Sequence, residues 1–257
     1  MVNALVCVKQ VIDVSQLKAS DAPVQEAMQQ APRKISEFDL NALEEAVRLK
    51  EKHGGKVTVL SVGPDVKPML IREALAMGAD EAYVVSDPAI EGSDGLVTAM
   101  LLAEMARRIK GWEIILCGEA SSDEAGYQVG PRLAKELGIP FLAHVTKLEI
   151  RSGRLLAERA LEDVFETYEV PLPALLTVGL EINTPRIPSL LMIKASSKKP
   201  ITYWSLKDLG VAAEPALRTV EVKAVKSERK NIVIEGNPEE AAEKLVTILL
   251  RDGVIKG

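Results

Sequence analysis

The chain has 257 residues, 47% of them hydrophobic, and a formal net charge of −5 at pH 7. That length provides one large domain or a domain with an appendage, and the acidic balance argues against nucleic acid as a partner, because nucleic-acid phosphates require a basic face. No apolar run approaches the roughly 20 residues of a membrane span and the first residues lack the charged start of a signal peptide, so we expect a cytoplasmic protein without direct membrane insertion.

Apolar, strand-like runs alternate with helical patterns in the first half of the chain. The predicted strands are residues 4–8, 57–62, 81–85 and 114–117, and the predicted helices are residues 40–53, 69–77, 94–109 and 131–137. Strands without polar alternation are typical of a parallel sheet that is covered on both faces. The sequence therefore predicts an α/β, Rossmann-like domain, and such sheets bind ligands outside the carboxyl ends of their strands.

Three loops leave predicted strand ends, namely Lys9-Gln10, Gly63-Pro64 and residues 118–131. The third loop reads GEASSDEAGYQVGP and lies between a buried strand and a helix. Its glycines allow close approach of a ligand to the backbone, and the helix start contributes roughly half a positive charge. The loop is therefore predicted to hold a nucleotide phosphate, with an ordinary strand-to-helix connection as the open alternative.

The second half of the chain has a different sequence pattern. Runs at 145–149 and 155–159 flank a turn sequence at 151–154 and predict antiparallel edge strands, and a further strand is predicted at 174–178. Three prolines between residues 181 and 200 and an apolar group at 190–193 predict a contact loop.

The C-terminal part predicts strands at 220–225 and 232–234 and a helix with Asn237 as its cap and Pro238 in its first turn. The predicted organisation is an α/β nucleotide-binding core over residues 1–190. Residues 191–257 would form the partner-contact loop and a C-terminal arm, which is too small to bury much surface alone.

Conventional catalytic or metal-binding constellations are not predicted. Cys7 and Cys117 lie in apolar strands and are interpreted as buried thiols. His53 and His144 are interpreted as structural residues, so neither a serine-protease-like triad nor a metal centre is expected. The acidic residues between 162 and 166 are interpreted as a solvated stretch, because strand alternation would separate them.

Six segments in order resemble the β subunit of electron transfer flavoproteins. They are residues 5–11 (LVCVKQV), 38–46 (FDLNALEEA), 72–80 (REALAMGAD), 118–131, 159–177 and 183–189 with the KKP at 198–200. The resemblance implies a heterodimer with a separate α subunit, in which this chain provides an adenine-nucleotide-binding domain and carries electrons. It also implies a redox partner, either a dehydrogenase or a quinone-reducing module, through which the pair would become membrane-associated.

The same resemblance bears on the cofactor. Most members of the family bind AMP in this subunit, whereas electron-bifurcating members bind a second FAD, which takes hydride from NADH. The segments 92–94 (GSD) and 128–131 (QVGP) resemble the bifurcating group. FAD is therefore expected here, with electrons passing from NADH or dehydrogenases towards a quinone or ferredoxin pathway. The alternative is an ordinary carrier with structural AMP in this subunit and FAD in the α subunit.

The resemblance and the strand-end loops together give a set of expected binding residues. The cofactor-binding set is Val8, Lys9, Asn41, Val62, Gly63, Asp94, Gly118, Ser122, Asp123, Gln128, Val129, Gly130 and Pro131. The partner-binding set is Leu190, Leu191 and Met192, of which Leu190 matches the family's exposed docking leucine, and packing against the chain's own arm is the alternative. Glu119 departs from the family loop, which has a basic residue at that place.

Roles follow from the chemistry of each group. Backbone groups of Val8, Val62 and Gly63 are expected at the adenine edge, and the backbone of residues 128–130 at the phosphates. The carboxylates of Asp94 and Asp123 would repel a phosphate, so each is interpreted as a ribose ligand or a helix cap.

Two residues of the cofactor-binding set also have an interpretation without a ligand. Lys9 is interpreted either as a phosphate ligand or as a surface residue that closes a strand. Asn41 lies in mid-helix, where an asparagine usually faces solvent.

Two other classes of protein remain as alternatives. An ATP-binding adenylating enzyme would resemble others of its class in a glycine-containing phosphate loop after the first strand, but residues 9–13 (KQVID) contain no glycine. A nucleotide sensor of the universal-stress type would bind ATP without flavin and form homodimers. Flavin colour and a co-purifying α subunit would distinguish an electron carrier from both.

Overall fold

The computed structural model describes residues 1–17, 24–151, 154–212, 214–223 and 231–256. They belong to two compact units, Met1–Val222 and Lys223–Gly257. The centre of the predicted turn at 151–154 and the end of the predicted strand at 220–225 lie outside the described residues.

The described residues contain eleven strands and eight helices. The strands are β1 (Ala4–Cys7), β2 (Gln10–Ile12), β3 (Arg33–Ile35), β4 (Val57–Gly63), β5 (Glu81–Ser86), β6 (Ile114–Gly118), β7 (Phe141–Arg151), β8 (Arg154–Ala160), β9 (Phe165–Val170), β10 (Ala174–Val178) and β11 (Ile201–Trp204). The helices are α1 (Val24–Gln30), α2 (Glu37–His53), α3 (Pro68–Met77), α4 (Gly95–Arg108), α5 (Val129–Leu137), α6 (Leu190–Ser196), α7 (Leu206–Leu209) and α8 (Pro238–Arg251).

The main sheet has nine strands over the described part of the chain, in the order β11-β5-β4-β1-β6-β10-β7-β8-β9. Strands β11 to β7 pair in parallel, and β8 and β9 add to β7 in antiparallel fashion. The predicted α/β fold with a parallel sheet and antiparallel edge strands is therefore confirmed. Strands β2 and β3 form a separate antiparallel pair.

Both faces of the parallel sheet are buried. Alternation along β1 sends Ala4 and Val6 to the core layer under α2 and α3, and sends Leu5 and Cys7 to the layer under α4 and α5. Two-sided burial explains why these strands read as continuous apolar runs. Cys7 and Cys117 are both buried and free, as predicted.

The segment after β10 docks on α2 through a charged cluster. Arg186 donates from Nε to Glu44 Oε2 at 2.8 Å and also pairs with Glu51 at 2.6 Å. Arg48 donates to the other oxygen of Glu44 at 2.7 Å. Because the Glu44 side chain is only 4% exposed, its two arginine partners compensate a charge that water does not reach.

Residues 190–193 belong to a short helix rather than to the predicted contact loop. Ser189 caps α6 by accepting a hydrogen bond from the Met192 amide at 3.4 Å. The side chains of Leu190 and Leu191 stay 85% and 80% exposed. The cap residue lies directly before the apolar run, and this arrangement favours a helix start.

The end of α6 and the unpredicted strand β11 join the first compact unit. Arg72 of α3 donates to the carbonyls of Ser196 and Lys199 at 2.6 and 2.7 Å. Beyond these contacts β11 pairs in parallel with β5 and extends the sheet. Residues 191–222 therefore lie in the same compact unit as the core, while the proposed packing of residues 191–257 on another subunit stays a prediction.

The second unit contains α8. Its predicted start is confirmed, because Asn237 accepts a hydrogen bond from the Glu240 amide at 2.9 Å and Pro238 opens the helix. The prediction of a strand at 232–234 is wrong, since these residues form no ladder. Across the described ranges, every helix is too short or too polar to cross a bilayer.

Replacing Arg186 by alanine is expected to lower the free energy of unfolding by about 2–3 kcal/mol, because the buried Glu44 loses one of its two cationic partners. Urea unfolding measures the change. The control is Arg154→Ala, whose ion pair with Glu169 is largely exposed and should contribute less than about 1 kcal/mol. Equal losses in the two variants would contradict this account of the charged cluster.

Candidate functional site

Three strand-end loops meet at the carboxyl edge of the sheet. Strands β4, β1 and β6 are neighbours and run in parallel, so the residues that follow them leave on the same side. A direct contact joins two of these loops, since Lys9 Nζ lies 2.9 Å from Asp123 Oδ1. The predicted convergence of the β1 and β6 loops is therefore observed.

The side chain of Lys9 is paired with the acidic part of the 118–131 loop. Its Nζ donates to Ser121 Oγ at 3.3 Å and pairs with Asp123 at 2.9 Å and Glu124 at 3.0 Å. Burial lowers the pKa of Lys9, but the two carboxylates outweigh it and raise that pKa above its ordinary value. The lysine offsets one of the two negative charges with which Asp123 and Glu124 would repel a phosphate.

Asp39, in the first turn of α2, joins the same two loops through their backbones. Its Oδ2 accepts a hydrogen bond from the Lys9 amide at 2.7 Å, and its Oδ1 accepts one from the Gly118 amide at 3.1 Å. A side chain at Gly118 is impossible without movement, because a Cβ there would lie 2.6 Å from Asp39 Oδ1 and from Phe38 Cβ. Gly118 is thus required by close approach.

Asp39 is absent from the residues expected on sequence grounds. In the sequence Asp39 is simply an acidic residue in the first turn of a helix, where a carboxylate normally stabilises the helix start. Burial raises the pKa of Asp39 to about 7, although its hydrogen bonds from the backbone of Lys9 and Gly118 act in the opposite direction.

The backbone groups expected at an adenine edge are engaged within the chain. The Val8 amide donates to the Leu60 carbonyl at 2.8 Å, and the Val8 carbonyl accepts from Ser61 Oγ at 2.8 Å. The Gly63 carbonyl accepts from the Asp87 amide at 3.1 Å, and Val62 is paired within the sheet. Each of these carbonyl oxygens has a second lone pair, through which it can still accept a hydrogen bond from a ligand.

Asp94 is a helix cap, which is one of its two predicted roles. One carboxylate oxygen accepts hydrogen bonds from the Leu96 and Val97 amides, both at 3.0 Å, and so satisfies the first turn of α4. The other oxygen accepts from the Ala216 and Leu217 amides at 2.9 and 3.0 Å. Both oxygens therefore have partners in this chain.

The first turn of α5 differs from that of α4. Gln128 stands at the cap position without a side-chain hydrogen bond, so the amides of Val129 and Gly130 open the helix without a side-chain cap. Gly130 packs against β10, where a Cβ would lie 2.5 Å from Thr177 Cγ2. Pro131 follows as the third helical residue. Uncapped amides at a helix start are suited to an anion.

The 118–131 loop reaches α5 through left-handed backbone at residues other than glycine. Ala125 has φ of 48° and Tyr127 has φ of 54°, on either side of Gly126. Non-glycine residues seldom adopt this conformation, so the loop stores local strain. The Ser122 amide donates to Ser36 Oγ at 3.3 Å. The hydroxyl of Ser122 itself is buried and has no hydrogen bond of normal geometry among the described residues.

Asn41 has a structural environment. The sequence predicts that Asn41 faces solvent, but the residue is buried. Its side-chain amide donates to the Leu180 and Asn183 carbonyls at 3.2 and 2.7 Å. Asn183 in turn donates to the Asn41 carbonyl at 3.0 Å. These contacts tie the segment after β10 to α2 and use both of the amide hydrogens of Asn41.

The remaining titratable residues form no further centre. His144 Nδ1 lies 2.8 Å from Glu119 Oε2 beside the loop, and the acidic residues Glu162 and Asp163 are exposed. Among the residues that the structure describes, no cluster of three or more His, Cys, Asp or Glu side chains is arranged to hold a metal ion.

Comparison with known proteins gives one consistent match. A family model described as "Electron transfer flavoprotein domain" matches residues 26–209. The chain is 40% identical over 252 residues to the electron transfer flavoprotein subunit beta of Thermoanaerobacterium thermosaccharolyticum, covering 95% of this chain and 96% of the relative. It is 36% identical over 259 residues to the protein of the same name from Clostridium acetobutylicum, covering 98% and 100%. The resemblance carried by the six segments is confirmed.

The pKa of Asp39 predicts a pH dependence of stability. Because the folded pKa is raised from 3.8 to about 7, the folded state binds this proton more tightly than the unfolded state does. The contribution of Asp39 is fully present below about pH 4 and is lost as the pH rises through about 7. Relative to Asp39→Asn, the unfolding free energy of the wild type should fall over this window, by at most about 1.4 kcal/mol per pH unit. Urea unfolding across the window measures it, and a pH-independent difference would refute it.

Gly130→Ala is expected to lower the free energy of unfolding by about 1–3 kcal/mol, because the new methyl group overlaps Thr177 and pushes the start of α5 from the sheet. The matched control is Gly126→Ala in the same loop, where a Cβ meets nothing within 4 Å and the change should stay within about 0.5 kcal/mol. Chemical denaturation compares the two. Similar stability of both variants would show that α5 does not need its close approach.

Proposed function

Since the chain belongs to the electron transfer flavoprotein family and its relatives are β subunits of nearly equal length, we propose that it is the β subunit of a heterodimeric electron transfer flavoprotein. The observation that carries the proposal is this alignment with named β subunits over 95–98% of the chain. In this proposal the chain binds an adenine nucleotide at the carboxyl edge of its sheet and serves as an electron carrier.

The residues at that edge suit an adenosine diphosphate moiety. The amides of Val129 and Gly130 would hold the phosphates, since no side chain caps the first turn of α5, and Gly130 lets that turn pack closely on β10. The carbonyl lone pairs at the ends of β1 and β4 would accept hydrogen bonds from the adenine edge. Lys9 offsets the charges of Asp123 and Glu124 beside the phosphates.

The proposed nucleotide is FAD. The support is the sequence at 92–94 and 128–131, which resembles the bifurcating group. A bound flavin would supply hydride and single-electron chemistry that amino-acid side chains do not provide, and this chain would bind and orient it. NADH or dehydrogenases would then be the electron source, and a quinone or ferredoxin pathway the destination. Structural AMP in this subunit is the second candidate, favoured by its occurrence in most members of the family.

Partner contacts follow from the exposed apolar surface. We propose that Leu190, Leu191 and Met192 at the start of α6 dock a redox partner. Leu190 and Leu191 are largely exposed and Met192 beside them is half-buried, and exposed large apolar side chains are typical of a transient interface. Residues 191–257 would pack on the α subunit, and the apolar side chains Leu245 and Val246 of α8, 46% and 47% exposed, support this. The heterodimer would be cytoplasmic and would reach a membrane only through its partners.

Co-expression with the α subunit, followed by acid release and chromatography of bound nucleotides, tests the proposal. We expect a yellow heterodimer that releases two FAD molecules, because the sequence of the phosphate loop favours a dinucleotide in this subunit. One FAD and one AMP per heterodimer would favour the ordinary carrier. A colourless homodimer of this chain that binds ATP would contradict the family-based assignment of function.

A further inference from the structure

One turn of helix holds both of the loops that flank the proposed nucleotide. The Ser36 amide donates to the Lys9 carbonyl at 3.1 Å, and Asp39 Oδ2 accepts from the Lys9 amide at 2.7 Å. On the other loop, Asp39 Oδ1 accepts from the Gly118 amide at 3.1 Å and Ser36 Oγ accepts from the Ser122 amide at 3.3 Å. Each loop is therefore fixed at two points by the same pair of residues, Ser36 through its backbone amide on one loop and through its hydroxyl on the other, and Asp39 through its carboxylate on both.

The direct ladder between β1 and β6 does not reach the residues at which these loops begin, although Gly118 still pairs with Val178 of β10. The ladder between β1 and β6 ends at the pair Val6 and Leu116, and both Lys9 and Gly118 lie beyond it. The pair Ser36 and Asp39 bridges the gap instead. The two residues are 0% and 6% exposed, so water hardly competes with their hydrogen bonds.

The bridge has little freedom to move. The absence of a side chain at Gly118 lets Asp39 Oδ1 come close to the backbone, and any Cβ there would overlap it. Asp39 is also one residue from Phe38, whose Cβ packs on the same glycine. A binding site whose contacting groups are held to within about 0.5 Å loses less entropy on binding than one whose loops must be ordered by the ligand.

We propose that Ser36 and Asp39 are positioning residues that fix the separation of the β1 and β6 loops and thereby set the affinity for the adenine nucleotide. The inference rests on the proposed function, because it takes the nucleotide to lie between these loops. Neither residue needs to touch the ligand. Their effect reaches it through the backbone of Lys9, of Gly118 and of the loop that continues to α5.

The test compares Asp39→Asn with wild type in the full-length chain co-expressed with the α subunit, after removal of bound nucleotide. Asparagine has the same shape as aspartate but only one acceptor oxygen. Its NH2 group would therefore face one of the two backbone N–H groups and could not accept a hydrogen bond from it. Calorimetric titration with AMP and with FAD should show a Kd raised about tenfold to hundredfold, the range expected for one lost charge-assisted hydrogen bond.

The matched control is Asp80→Asn. Asp80 Oδ2 also accepts a hydrogen bond from a strand-end amide, that of Val57 at 2.8 Å, and its side chain pairs with Lys50 at 2.9 Å. Val57 begins β4, so this contact lies at the opposite edge of the sheet. Asp80→Asn should lower the thermal unfolding midpoint while leaving both Kd values unchanged. A purely structural role of Asp39 would give the same pattern as the control.

Ser36→Ala provides a second variant that does not depend on a stable Asp39→Asn protein. It removes only the acceptor for the Ser122 amide and should raise the Kd severalfold. An unchanged Kd in Asp39→Asn, or in Ser36→Ala where the first variant does not fold, would overturn this inference alone. Failure of the wild-type heterodimer to bind either nucleotide would contradict the proposed function, and the inference with it.

Discussion

A buried carboxylate that accepts two backbone hydrogen bonds organises the carboxyl edge of the sheet. Asp39 accepts hydrogen bonds from the amide of Lys9, two residues beyond β1, at 2.7 Å and from the amide of Gly118, the last residue of β6, at 3.1 Å. Both hydrogen bonds are needed because an uncompensated charge in the interior would cost several kcal/mol. The geometry of this edge, where we propose that the nucleotide binds, therefore depends on the same hydrogen bonds that allow Asp39 to be buried.

The two helices that start beside this edge, α4 and α5, differ in whether a side chain caps their first turn. Asp94 satisfies the first turn of α4 with its own carboxylate, whereas the first turn of α5 has no side-chain cap. Lys9 offsets part of the negative charge of the acidic loop that leads to α5. In the proposed function the phosphates would lie at the start of α5, because its first amides have no side-chain cap.

Where local patterns missed an element, the reason lies in the environment of that element. The strand Phe165–Val170 mixes apolar and polar residues without regular alternation at an exposed edge, and its pairing with β8 rather than its composition makes it a strand. The strand Ile201–Trp204 follows prolines and has only four residues, so β5 provides the ladder that it needs. The helix at Leu190–Ser196 is stabilised by contacts of its C-terminal end with Arg72, which is far away in the sequence.

The sequence by itself determined the succession of the buried strands along the chain, the cap Asn237, and the family to which the chain belongs, because these depend on local patterns or on the succession of motifs. Only the tertiary structure decided the roles of Asp39 and Asn41. Their partners lie 30 and 79 residues away for Asp39, and 142 residues away at Asn183 for Asn41. Within α2 both positions look like ordinary polar sites of a helix. What distinguishes them is that the fold buries them against backbone groups of distant loops, and burial of a polar group requires a partner that a local pattern does not reveal.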